Sequence, residues 1–268
     1  MTLKTLRLSE GCVFYTEAGS GEPLVLLHGV GMSDQAWRPQ IAALQRRYRV
    51  IALNMPGHGG TDLLPGTPDL PDYVAWAARV LRALGLGMAN VAGHSMGALI
   101  ATGLAARHPD LVRRVAVLNG VYRRSPEARA AVMARADALA KGANDVETPL
   151  ARWFDADQQD LRAQVAGWLR AVNPAGYAAA YRAFAGGDAT YADAWPQISC
   201  PMLALTGALD ANSSPAMAQA MAAAAPRGRA VVIEGHRHMV NLTAPEAVTA
   251  ALAHWLTEPA TATEGLRA

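Results

Sequence analysis

Residues 90–104 read NVAGHSMGALIATGL. A single hydroxyl, Ser95, stands between Gly93 and Gly97 where a short apolar run passes into helical spacing. In the pattern G-x-S-x-G, a tight strand-to-helix bend lifts the serine above the edge of a sheet, and the flanking positions lie so close to neighbouring backbone that a Cβ would collide. The helix that follows aims its free N–H groups and its dipole at the same spot, where a developing anion would be stabilised. A helix-capping serine in a glycine-rich turn would satisfy the same five letters, so the weight rests on the flanking sequence.

Outward from this turn, short apolar runs recur at residues 12–16, 24–28, 50–53, 91–93, 115–118, 202–206 and 231–233, separated by segments of helical length such as 71–84, 95–107 and 215–224. Runs that are apolar throughout need cover on both faces, which predicts a mostly parallel sheet flanked by helices, an α/β fold. The alternation stops over residues 123–195, where no strand pattern occurs and helical segments are punctuated by KGAND, NPAG and GGDA. Strand character resumes at once with CPMLALTG. The expected organisation is therefore a core in two parts, residues 1–122 and 196–268, interrupted by a helical cap insertion at 123–195.

The 268 residues are half apolar and carry a formal net charge of +2, enough chain for one large core and without the basic footprint of a nucleic-acid binder. Cys12 and Cys200 have no paired spacing, which fits a reducing compartment. The N-terminal alternation MTLKTLRLSEG lacks the apolar stretch of a secretory signal, and no run approaches bilayer length. The expectation is a cytoplasmic protein with no nucleic-acid or membrane partner.

A serine hydroxyl is a weak nucleophile that needs a base, and the base needs a third group to orient it. For this elbow the expected chain order is serine, acid, histidine. LALTGALDANSSP places Asp210 just past an apolar run, and VVIEGHRHMVNLTAPEAV places His236 and His238 just past the next. Loops at the carboxyl ends of parallel strands are where such sheets gather functional groups. Asp210 could instead be a plain capping carboxylate, but the other position for an acid, after the run ending at Leu118, holds Asn119.

GHSMG, TGALD and GHRHMVNLTAPEAV, with LLHGVGMS and PGHGGTD, resemble the landmarks of the α/β-hydrolase fold family over residues 24–256. The resemblance implies Ser95, Asp210 and His238 as catalytic residues, because His238 directly precedes MVNLTAPE. It points to the backbone N–H of Val30 as one oxyanion donor; the motif's own mechanics supply the other from Met96. His236 is expected to line the pocket or cap its loop, His28 and His58 to hold loops by hydrogen bonds, and His94 to be an elbow neighbour. One departure is Asn54, where related sequences often carry Asp.

The implied chemistry is acyl transfer in two steps, with no metal or organic cofactor required. The cap segments PLARWFDAD and NPAGYAAAYRAFAGGDA are similar to those of the enol-lactonase group. That likeness implies a small ester or lactone substrate, with Arg152 as a candidate partner for a substrate carboxylate and Trp153 as cap packing or pocket wall. Two alternatives accompany this reading. The same apparatus could cleave an amide or a carbon–carbon bond of a ring-cleavage product, or the fold could serve as a non-catalytic ligand-binding protein.

Overall fold

The computed structural model describes residues 1–143 and 145–260. Eight strands, β1 (Thr2–Leu8), β2 (Gly11–Ala18), β3 (Glu22–Leu27), β4 (Tyr48–Leu53), β5 (Ala89–His94), β6 (Val112–Leu118), β7 (Met202–Gly207) and β8 (Gly228–Ile233), form one sheet in the order β1-β2-β4-β3-β5-β6-β7-β8. The pairs from β4 through β8 are parallel, and β2 runs antiparallel to both of its neighbours.

Alternate residues of each central strand enter different cores. Val25, Leu27, Ile51, Leu53, Val91, Val115 and Val117 face the layer that contains α2 (Leu70–Ala83), α3 (Met96–Arg107) and α8 (Pro215–Ala224). Leu24, Leu26, Val50, Ala52, Ala92, Ala116 and Leu118 face α1 (Arg38–Leu44) and α10 (Pro245–Trp255). This two-sided burial is the physical reason that the runs carry no polar alternation. β1 shows the opposite case: it alternates, is mostly exposed, and lies at the sheet edge, and the apolar-run criterion does not find it.

Among the described residues between β6 and β7 lie the α-helices α4 (Pro126–Ala140), α5 (Glu147–Trp153), α6 (Gln159–Ala171) and α7 (Pro174–Gly187). Their starts are written locally. Ser125 precedes Pro126 and its hydroxyl accepts from Ala128 N–H, while Asn173 precedes Pro174 and its side chain accepts from Ala175 and Gly176 N–H. A capping oxygen followed by proline at the first helical position satisfies orphan donors and presets φ. The short α9 (Val240–Thr243) follows the histidine loop. Among the described residues no helix is long and apolar enough to cross a membrane.

Candidate active site

The elbow sits where β5 passes into α3. Ser95 adopts φ 54°, ψ −114°, a left-handed conformation that costs a non-glycine residue roughly 1–3 kcal/mol and persists only where the surroundings enforce it. They do so here: Ser95 N–H donates to Leu118 O at 2.9 Å, a Cβ on Gly93 would overlap the Gly97 carbonyl, and one on Gly97 would overlap the Leu27 carbonyl. The hydroxyl makes no capping bond to α3, so the capping alternative does not describe it. It borders a cavity of about 240 Å³ instead.

Asp210, just past β7, and His238, past β8, are joined by His238 Nδ1 donating to Asp210 Oδ2 at 2.8 Å, and both are almost fully buried. The carboxylate is saturated with donors. Asn119 Nδ2 reaches the same oxygen at 2.7 Å, and the N–H groups of Asn212 and Ser213 reach Oδ1 at 2.8 and 3.2 Å. Burial opposes ionisation of Asp210, but the His238 charge and hydrogen bond, with Asn119 and the Asn212 N–H, outweigh it and hold the carboxyl below its usual range.

His238 lines the same cavity as Ser95, and its Nδ1 is committed to the acid. Ser95 Oγ and His238 are not hydrogen-bonded among the described residues; such contacts are often long in ligand-free sites and tighten around substrate. His94 Nε2 donates to His238 O at 2.8 Å and fixes the loop that carries the imidazole. Burial pushes His94 down to about 3, so it is neutral.

The loop after β3 is held from behind. His58 Nε2 accepts from Gly31 N–H at 3.0 Å and its Nδ1–H donates to Pro56 O, while His28 Nε2 accepts from Met55 N–H and its Nδ1–H donates to Gly29 O. Both rings therefore carry their proton on Nδ1. With Gly31 N–H spent on His58, the N–H groups of Val30 and Met96 remain, and neither donates to an acceptor among the described loop, turn and cap hydrogen bonds.

Arg152 and Trp153 both line the cavity, and Trp153 stacks on the His238 ring with centroids 5.6 Å apart and planes 26° apart. His236 does not line it; its Nδ1 pairs with Thr243 Oγ1 at 3.0 Å and ties the loop to α9. Missed from the sequence were Arg124 and Arg135, which join Arg152 in the wall, and Asn119 as a donor to the acid. Among the described residues no carboxylate lines the cavity, but Asp188 pairs with Arg124 and Asp145 with Arg135 behind the wall, which leaves Arg152 as the lining arginine without an anionic partner.

A family model described as alpha/beta hydrolase fold matches residues 22–245. The chain belongs to the α/β-hydrolase fold family. This α/β-hydrolase is 53% identical over 259 residues to an (E)-2-((N-methylformamido)methylene)succinate hydrolase of Acinetobacter baylyi, a match covering 96% of this chain and 98% of that one. It is 30% identical over 251 residues to a 2-(acetamidomethylene)succinate hydrolase of Mesorhizobium japonicum, covering 90% of each. Among solved structures, the enol-lactonase from Burkholderia xenovorans superposes with a TM-score of 0.84 at 26% identity, over 95% of this chain and 100% of that one.

Proposed function

We propose that this α/β-hydrolase cleaves the amide bond of a small (amidomethylene)succinate by serine acyl transfer. The observation that carries the reading is the 53% identity, over nearly the whole chain, to a hydrolase whose name specifies such a substrate. The cavity supports it: Arg152 lines the wall with no carboxylate partner among the described residues, whereas Arg124 and Arg135 are paired with Asp188 and Asp145, and a free guanidinium matches a substrate carboxylate in a planar fork. The ester or lactone expected from the cap segments gives way to the amide alternative. The likeness to the enol-lactonase supports a shared scaffold and acyl chemistry more than a shared substrate.

In this reading Ser95 Oγ attacks the amide carbonyl as His238 Nε2 takes its proton, and Asp210 holds the imidazolium through Nδ1. The oxyanion settles on the N–H groups of Val30 and Met96, left without protein acceptors for that purpose. Collapse breaks the C–N bond, and His238 returns the proton to the departing nitrogen. That nitrogen is conjugated with the substrate's carbon–carbon double bond, which spreads its electron pair and makes it a better leaving group than an alkyl amine. Water, deprotonated by His238, then releases the acyl group from Ser95 as a carboxylic acid.

The test is formate release from (E)-2-((N-methylformamido)methylene)succinate by the purified protein, beside Ser95→Ala, His238→Ala and His236→Ala. Turnover should vanish in the first two, to within the roughly 10³-fold residual left by the remaining machinery, and persist in the third. A larger kcat/KM on neutral p-nitrophenyl esters than on the amide diacid would overturn the substrate assignment.

A further inference from the structure

Trp153 covers the face of the His238 ring, yet it belongs to the insert while His238 belongs to the core. Leu150 and Phe154 of the insert pack with Met239 and Leu242 of the core in one buried apolar cluster, and an ion pair lies beside it, one residue from His238 and two from Trp153. Arg237 Nε donates to Asp155 Oδ1 at 2.7 Å, with about a third of each side chain exposed. Among the described residues this is the one ion pair joining the insert to the core; the insert's other pairs, such as Arg124–Asp188, Arg162–Glu147 and Arg182–Asp137, close within it. The backbone on the core side is rigid. Arg237 O receives Asn119 Nδ2 at 3.5 Å and packs so tightly on Gly207 that a Cβ there would collide with it, and His236 and His238 are each anchored by their own bonds.

We propose that Arg237 and Asp155 are positioning residues: their ion pair clamps the end of α5 onto the histidine loop, so that the indole of Trp153 fixes the plane of the His238 imidazole for proton transfer from Ser95. The proposal rests on the triad reading above. An aromatic face also attracts a cation, so the clamp favours the imidazolium that forms as Ser95 is acylated. Breaking it leaves Asp210 in place but frees one face of the ring.

The test uses diisopropyl fluorophosphate, a neutral reagent blind to the cavity arginines, whose second-order inactivation rate reports Ser95 and His238. Asp155→Asn and Arg237→Gln should each lower that rate about two- to fivefold, as befits a partly exposed pair. Trp153→Ala should lower it at least as much, and Asp155→Asn added to Trp153→Ala should cost nothing further. The charge exchange Asp155→Arg with Arg237→Asp should recover most of the rate, and raised salt should slow the native protein while leaving Asp155→Asn unchanged. Unchanged or faster inactivation in the single variants, or full additivity with Trp153→Ala, would overturn the clamp while leaving the triad intact. A native protein that does not react would overturn the triad reading and the clamp with it.

Discussion

Asn119 Nδ2 and His238 Nδ1 converge on one oxygen of Asp210, at 2.7 and 2.8 Å. Asn119 itself is held at φ 49° and is fully buried, with Ser213 Oγ donating to its carbonyl. The acid is thus oriented from both sides, and the residue at the position where a carboxylate could have replaced Asp210 supports it instead. Asn119→Ala removes one hydrogen bond to a charged acceptor, worth about 1.5–3 kcal/mol, and should lower kcat/KM about tenfold or more. Asn119→Asp puts a second carboxylate against Asp210; like charges at that distance raise one carboxyl's pKa. The acid limb of the pH–rate profile should move upward in both variants, since Asn119 also helps to hold the Asp210 carboxyl down, and further in Asn119→Asp than in Asn119→Ala.

The guanidinium of Arg152, without a carboxylate partner among the described residues, predicts a split between binding and chemistry. Arg152 borders the same space as Ser95 and His238 without touching the triad in the hydrogen-bond network. Replacing it by Gln should raise KM for an (amidomethylene)succinate about tenfold or more, the worth of one charge-assisted contact. The kcat for a neutral ester should hardly change. Steady-state kinetics on the two substrates check this, and an equal loss on both would place Arg152 in packing rather than recognition.

The strands and the elbow were legible because their signals are local. A strand buried on both faces must be apolar at consecutive positions, and a Gly93–Ser95–Gly97 turn must lack Cβ atoms where the backbones cross. That Asp210 and His238 meet was legible from their order and from their place after apolar runs. Arg124 and Arg135 were not. Both lie at or near α4, whose apolar and polar residues share no consistent face, so only the packing of the insert decides which arginines look inward and which meet solvent. β1 escaped for the opposite reason, being a mostly exposed edge with just Leu6 and Leu8 partly packed on the core.

Glycines divide into those the site requires and those it does not. Gly97→Ala drives a Cβ into the Leu27 carbonyl, which is sheet backbone and cannot move aside, so the variant should lose most of its stability and its activity together. Gly167 in α6 and Gly186 in α7 have open space where a Cβ would stand. Alanine there should stabilise the protein by about 0.5–1 kcal/mol by removing backbone freedom from the unfolded chain. Thermal denaturation of the three variants should rank them on opposite sides of the parent.

Acid should weaken this protein well before its carboxylates titrate. Burial pushes His58 down to about 4 and His94 to about 3, and it lowers His28 far below the ordinary histidine value of 6.5, with the neighbouring His58 adding to the effect. His28 and His58 each accept a backbone hydrogen bond through Nε2, which protonation would destroy. A folded-state pKa below the unfolded one means that the unfolded chain binds the proton first, so stability is full above about pH 6.5 and falls as pH drops toward the folded values. For His58 the loss reaches on the order of 3 kcal/mol near pH 4. The depressed carboxyl of Asp210 adds its own loss only at lower pH, below the usual carboxylate value. Urea denaturation between pH 8 and pH 4 should therefore show a flat region and then a decline that begins near pH 6.5. Stability that held constant down to pH 5 would mean that these imidazoles are not kept neutral by the fold.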